Sequence, residues 1–331
     1  MISPIRLVAL GLTLIAWGAA SPAARFEAAE PLRWEETPER ITLYQGERPI
    51  LRYNIALVPS PDASKPWFGR SGFIHPIWDP AGRVLTDDFP PDHMHQHALM
   101  FPWTKTQFEG RKIDFWNSAL QQGKVEHRRM VSQFVEEDLA GLEVELAHVD
   151  ITDPENPKDV LIERWNVVAH RDEDAFVFDL TSVQRCASDS PLTILEYHYG
   201  GLGIRGARAW ATKGQGDFLT SDSKTKVDGN HTTPRWVDVH GKLEGEVSGI
   251  TVMGHPENFR FPQPVRLHPD KPYFSFTPQV KGSFAIRPGQ PYTSKYRFVA
   301  HRGMIDQETT ERLWEDFSGI QTEQKQAEEA P

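Results

Sequence analysis

The chain has 331 residues, with 46 acidic against 36 basic side chains and a formal net charge of −10. That balance disfavours nucleic acid or an anionic membrane surface as a partner, because either needs a basic face. The single cysteine, Cys186, excludes an internal disulfide, so stability has to come from a core, which a chain of this length is long enough to bury.

In chain order, Arg6 followed by the apolar run Leu7 to Ala20 and the small residues Ser21-Pro22-Ala23-Ala24 reads as an export leader over 1–24. This predicts a periplasmic or secreted protein. No later segment approaches the roughly 20 apolar residues of a membrane span. Period-two alternation then recurs, which predicts strands. Leu51, Tyr53, Ile55 and Leu57 share one face; Leu142, Val144 and Leu146 alternate with Glu143 and Glu145; Phe176, Phe178 and Leu180 alternate with Val177 and Asp179. Proline and glycine clusters at 59–66, 153–159, 213–217 and 287–291 separate these runs and predict hairpin turns. One helix is predicted near the C-terminus, capped by Asp306, with Leu313, Trp314 and Phe317 on one face. The acidic tail, 319–331, has nothing to bury and reads as disordered. Many strands and almost no helix predict an all-β fold, a large antiparallel β-sandwich forming a single domain over 25–318.

The stretch 87–103, DDFPPDHMHQHALMFPW, carries the chemistry that stands out most. If it enters a strand, His93, His95 and His97 point to one face, neighbours about 6.8 Å apart along the chain and the outer pair about 13.5 Å apart. Zn–N bonds of about 2.0–2.1 Å then let two of the imidazoles share an ion but not all three. Acid–base work needs no such geometry, and Asp92 beside the histidines is placed to orient one of them. Glu196 and His198 in ILEYHYGGLGIR, also at i and i+2, complete the catalytic candidates, and the glycine pair that follows permits a tight turn.

Ligand-binding candidates are Asp114 and Trp116, a carboxylate beside an indole that suits a sugar ring. His127 and Arg205 join them, as do Trp236, Asp238, Asn258 and Arg260 from turn-rich segments. His75, His148, His170, His240, His268 and His301 stand alone in sequence and read as structural. No nucleophile elbow, metalloprotease helix or Walker loop is present.

The series RSGFIHPIWDPAGRVLTDDFPPDHMHQHALMFPW, FEGRKIDFWNS, GKVEH, YHYGGLGIR, RWVDVHG and GHPENFRFPQP resembles a bacterial family labelled methane oxygenase PmoA-like, in matching order from about residue 40 to about residue 303. Asp92, His93, His95, Gln96 and His97 match its histidine motif, with Ala98 where a glycine is common. Asp114, Trp116, His127, Gly200, Gly201, Trp236, Asp238, Pro256 and Asn258 fall on its recurring positions. The label implies a membrane-embedded copper oxygenase subunit, whereas this chain has no membrane helix. A galactose-mutarotase-like supersandwich is the fold the resemblance suggests, with acid–base groups on a concave sheet.

The expected function is that of an exported carbohydrate-active protein, an epimerase, mutarotase or lyase in type, whose partner is a small carbohydrate or glycoside. No cofactor is predicted. The alternatives are a non-catalytic carbohydrate-binding module and a metal-dependent oxygenase with His93 and His95 among its ligands.

Overall fold

The computed structural model describes residues 30–319. The leader over 1–24 and nearly all of the acidic tail lie outside the described residues. What is described is all-β apart from one α-helix, Gln307–Ser318, and four short 3-10 turns. Two eight-stranded antiparallel sheets pack around one core, and a four-stranded sheet stands beside them.

The second sheet contains the alternations that are clearest in sequence. Leu142, Val144 and Leu146 lie in the strand Leu139–Asp150, and Phe176, Phe178 and Leu180 in Phe176–Cys186; all six are buried. The run around residue 51 is shorter than expected: the strand Arg48–Asn54 buries Leu51 and Tyr53 and then ends, leaving Leu57 65% exposed. The helix starts where expected, the Asp306 side chain accepting the Thr309 N–H, and Trp314 is its buried anchor.

The first sheet positions the candidate site. Its strands run in the order Leu32–Glu36, Arg40–Gln45, Arg48–Asn54, Phe73–Ile77, Leu99–Met100, Leu202–Arg205, Tyr273–Phe276, Val265–Leu267. Cross-strand register puts Ile74, Leu99, Ile204, Phe274 and Leu267 in one row, all buried against the second sheet. The next row, Met100, Gly203, Ser275 and Arg266, must point to the opposite face, because side chains alternate along a strand. Arg205 and Tyr273, also cross-strand partners, share that face. Half of this sheet therefore carries a polar face turned away from the core.

Candidate functional site

The segment 87–98 crosses the polar face as consecutive turns, where the sequence reading expected a strand. The His93 N–H donates to Pro90 O and the Gln96 N–H to His93 O, so the turn begun by Pro90-Pro91 continues through the histidines. The alternation that would align three imidazoles is lost. His93 and His95 meet edge to face, ring centres 5.6 Å apart. His97 is buried instead, its Nδ1 2.7 Å from Asp88 Oδ1 and its ring packed on Phe73 and Phe89.

Arg205 holds this turn in place. Its guanidinium, 1% exposed, donates to Gln96 Oε1 at 3.0 Å and to Asp92 Oδ1 at 2.9 Å, and Lys271 Nζ lies 3.3 Å from Asp92 Oδ2. Partial burial would raise the Asp92 carboxyl, but Arg205, His93 and Lys271 hold it well below the usual carboxylate range. Asp92 Oδ2 is also 3.2 Å from His93 Nδ1, off the alignment of a good hydrogen bond. Burial pushes His95 down to about 3, helped by the imidazoles of His93 and His97 and by Arg205, so it is neutral at pH 7.

A third imidazole completes the group. His268, at the end of the strand that carries Arg266, lies edge to face with His93 at 5.9 Å. Its Nδ1 accepts the Asp270 N–H, which leaves the proton of the neutral ring on Nε2. Burial and the charge of Arg266 lower it to about 4. Arg266 itself acts electrostatically on His268 to one side and on His198, Tyr199 and Tyr273 to the other. It links the histidine turn to the aromatic end of the face.

At that end Trp116 lies across Gly203. A Cβ there would sit 2.6 Å from Trp116 Cη2, so the indole requires glycine beneath it. Trp116 is 1% exposed and meets Tyr199 and Tyr273 edge to face, each at 5.7 Å. It supports those tyrosines and does not offer a free face to a ligand. Asp114 is occupied as well, its Oδ1 accepting the N–H groups of Trp116 and Asn117, both at 2.8 Å. A carboxylate two residues before an indole is here a turn device that aims the Trp. Gly200, at φ 124°, turns the chain after Tyr199. The Tyr199 carbonyl accepts from Gln279 Nε2 and Thr104 Oγ1.

The other candidates are not gathered here. Glu196 is exposed on the flank, its N–H donating to Ser283 Oγ. His198 stands beside Tyr197 and Tyr199 at the rim. His127 lies between the two sheets, its Nδ1 2.9 Å from Tyr53 Oη. Trp236 and Asp238 belong to the second sheet: Trp236 packs with Trp314 and donates to Glu311, and Asp238 pairs with His301. Asn258 exchanges two hydrogen bonds with the Lys295 backbone, and Arg260 donates to the carbonyls of Pro278 and Gly282. Their turn-rich surroundings reflect loop construction, which takes up the same polar atoms a ligand would.

Sequence reasoning passed over His268, Arg266, Tyr273, Ser275 and Tyr199. The available signal was the alternation in VRLH and YFSF, where Arg266 and His268, and Tyr273 and Ser275, occupy the face away from the core. Tyr273 and Ser275 are buried all the same, so something covers that face.

Two clefts flank the site. One of about 530 Å³ is bordered by Trp210, Lys213, Asp217, Lys226, Asp270 and Lys271. The other, about 360 Å³, is lined by Asp62, Asp88, Phe89, Met94 and Arg208, and burial raises the Asp88 carboxyl there to about 7. Among the described residues no group of three or more His, Cys, Asp or Glu side chains is placed to hold a metal ion, and no helix is long and apolar enough to cross a membrane.

The sequence profile of a family of unknown function (DUF6807) matches residues 40–315, most of the chain and all of this site. The chain belongs to that family. Membership assigns no activity and does not carry the methane-oxygenase label of the resemblance. No curated protein matches the sequence. Among solved structures the chain is similar to the GH36 α-galactosidase AgaB from Geobacillus stearothermophilus, at 10% identity and TM-score 0.40, covering 82% of this chain and 41% of that one. It is also similar to the Slr1438 protein from Synechocystis sp. PCC 6803, at 11% identity and TM-score 0.35, covering 87% and 99%. A galactose mutarotase related enzyme from Lactobacillus acidophilus matches at 8% identity and TM-score 0.27, covering 82% and 97%. The likenesses are distant, and this DUF6807 chain spans about two fifths of the α-galactosidase.

Proposed function

We propose that this protein acts on a sugar or sugar derivative held against the polar face of the first sheet, with His93 and His95 serving acid–base chemistry. The observation that carries the reading is the company these histidines keep. Tyr273 and Ser275 share their face, buried, with hydroxyls that lie near each other without a well-aligned hydrogen bond, beside Tyr199 and Arg266. A buried polar group without a partner costs about 1–3 kcal/mol. Ligand hydroxyls recover that cost, and tyrosine rings cover the apolar side of a sugar. In this reading Asp92, fixed by Arg205, anchors the turn and places a negative charge beside His93, and neutral His95 accepts a proton.

The test is a screen of the protein against aldoses, methyl glycosides and 3-keto sugars, followed by NMR. The expected result is turnover of one class that His95→Ala abolishes while binding persists. Absence of both binding and turnover across the screen refutes the site. A second reading, a non-catalytic binding module, is favoured by one observation: a histidine held near 3 is a weak base. It would show as binding without turnover in the unaltered protein.

Export belongs to the same proposal and is supported by the apolar run Leu7 to Ala20. Mass spectrometry of the native protein is expected to place the N-terminus between Ser21 and Glu27. An intact Met1 overturns it.

A further inference from the structure

Several arginines of this molecule are paired with carboxylates: Arg205 with Asp92, Arg208 with Asp87, Arg235 with Glu311, Arg297 with Asp179. Among the described residues buried Arg70 has no ion pair, half-buried Arg52 and Arg260 donate to Thr42 and to backbone carbonyls, and Arg266 is a further arginine without a carboxylate. It is half-buried on the polar face of the first sheet, and among the described residues its side chain makes neither an ion pair nor a hydrogen bond. Its surroundings are uncharged donors and rings: Ser275 is its cross-strand partner, and Tyr273, Tyr199, His198 and His268 feel its charge.

The charge count around it is one-sided. Arg205 and Lys271 share one carboxylate, Asp92, and Arg266 is a third cation on this face with no carboxylate of its own. Adding Asp270, which acts on His268, gives two carboxylates against three cations and still leaves one positive charge. At the aromatic end Lys105, whose Nζ stands 3.8 Å from the Tyr197 ring centre, is balanced by the Asp114 carboxylate, so the excess of one positive charge stands. This local excess occurs in a chain whose net charge is −10, so it is not the general character of the surface.

We infer that the ligand of this site carries a carboxylate and that Arg266 is its receptor, which makes the substrate class a sugar acid of the uronate kind. The inference rests on the carbohydrate reading above and narrows it. A guanidinium presents a planar fork that matches a carboxylate with two parallel hydrogen bonds, and the Ser275 and Tyr273 hydroxyls beside it supply neutral donors. A phosphate, with close to two negative charges, calls for a second free cation at the same point, and Lys271 and Arg205 are committed to Asp92. The placement also has a chemical use. With its charge met by Arg266, a carboxylate acidifies the hydrogen on the adjacent ring carbon, and His93, His95 and His268 line the same face.

The experiment compares matched pairs of probes on the full chain by calorimetry or NMR titration: methyl glucuronide against methyl glucoside, methyl galacturonide against methyl galactoside, and glucose 6-phosphate as the phosphate arm. Expected is a preference of about ten- to hundredfold for a uronide over its neutral partner, the range of a charge-assisted hydrogen bond. It should shrink as salt is raised. Arg266→Gln is expected to reduce the preference to near one while leaving the weak affinity for the neutral glycoside, and Arg266→Lys to retain part of it. Neutral glycosides binding as well as uronides, or an unchanged preference in Arg266→Gln, overturns the inference and leaves the carbohydrate reading standing. Tightest binding of the phosphate probe overturns it as well. No binding by any of the probes removes both.

Discussion

Gly203 and Trp116 offer the sharpest test of how the site is built. Replacing glycine by alanine in the middle of a strand ordinarily stabilises a protein by about 0.4–1 kcal/mol, because the unfolded chain loses freedom. Here the added methyl would stand 2.6 Å from Trp116 Cη2, 3.3 Å from Cζ3 and 3.4 Å from Tyr273 Cε2. Carbon atoms in good contact lie about 3.5–4.0 Å apart, so the indole has to move by roughly 1 Å. It has no room, being 1% exposed and wedged by Tyr199 and Tyr273. Overpacking of this kind costs about 1–3 kcal/mol, which outweighs the gain, and Gly203→Ala is expected to destabilise by about 0.5–2 kcal/mol. Trp116→Phe removes the ring that reaches the methyl, so in that background the same substitution is expected to be neutral or stabilising, a coupling of about 1 kcal/mol or more. Urea unfolding of the four proteins, followed by far-UV circular dichroism, reads both numbers. An equal effect of Gly203→Ala in the two backgrounds would refute the claim that the indole rests on this glycine.

Stability is also expected to fall as pH drops below about 6.5, the unfolded value for histidine. Burial lowers His75 to about 4, His95 to about 3 and His268 to about 4, and His97 well below its usual range. A lowered histidine binds fewer protons folded than unfolded, so its contribution is complete above 6.5 and is lost down to the folded value. Asp88, raised to about 7 by burial, acts in the opposite sense over the same window and offsets part of the loss. Asp92 enters only below about 3.8, since its carboxyl is lowered. Urea midpoints measured from pH 7.5 to 4.5 should therefore decline, less steeply in His95→Gln; a flat profile would contradict the burial of these imidazoles.

Much of the scaffold was legible without coordinates. Leu142, Val144 and Leu146, and Phe176, Phe178 and Leu180, form strands because period two is the geometry of the pleat, and Asp306 caps the helix through its own side chain. These are local relations, and local sequence carries them. The cluster Asp92, His93, His95 and His97 stood out in sequence because three histidines beside an aspartate are rare in any chain, and Arg205 was a separate candidate from another segment. Their arrangement was not legible. The strand expected for 92–97 is a pair of turns because Pro90 and His93 supply carbonyls to the residues three ahead, and because Arg205, distant in sequence, ties down Asp92 and Gln96. Trp236 and Asp238 resemble site residues in sequence and lie on the other sheet. Conversely, His268 looks solitary, yet it faces His93 because the strand Val265–Leu267 reaches the histidine turn by way of Tyr273–Phe276 and Leu202–Arg205. Alternation fixes which residues share a strand face; which strands become neighbours, and so which polar faces combine into a site, is decided only when the sheets pair.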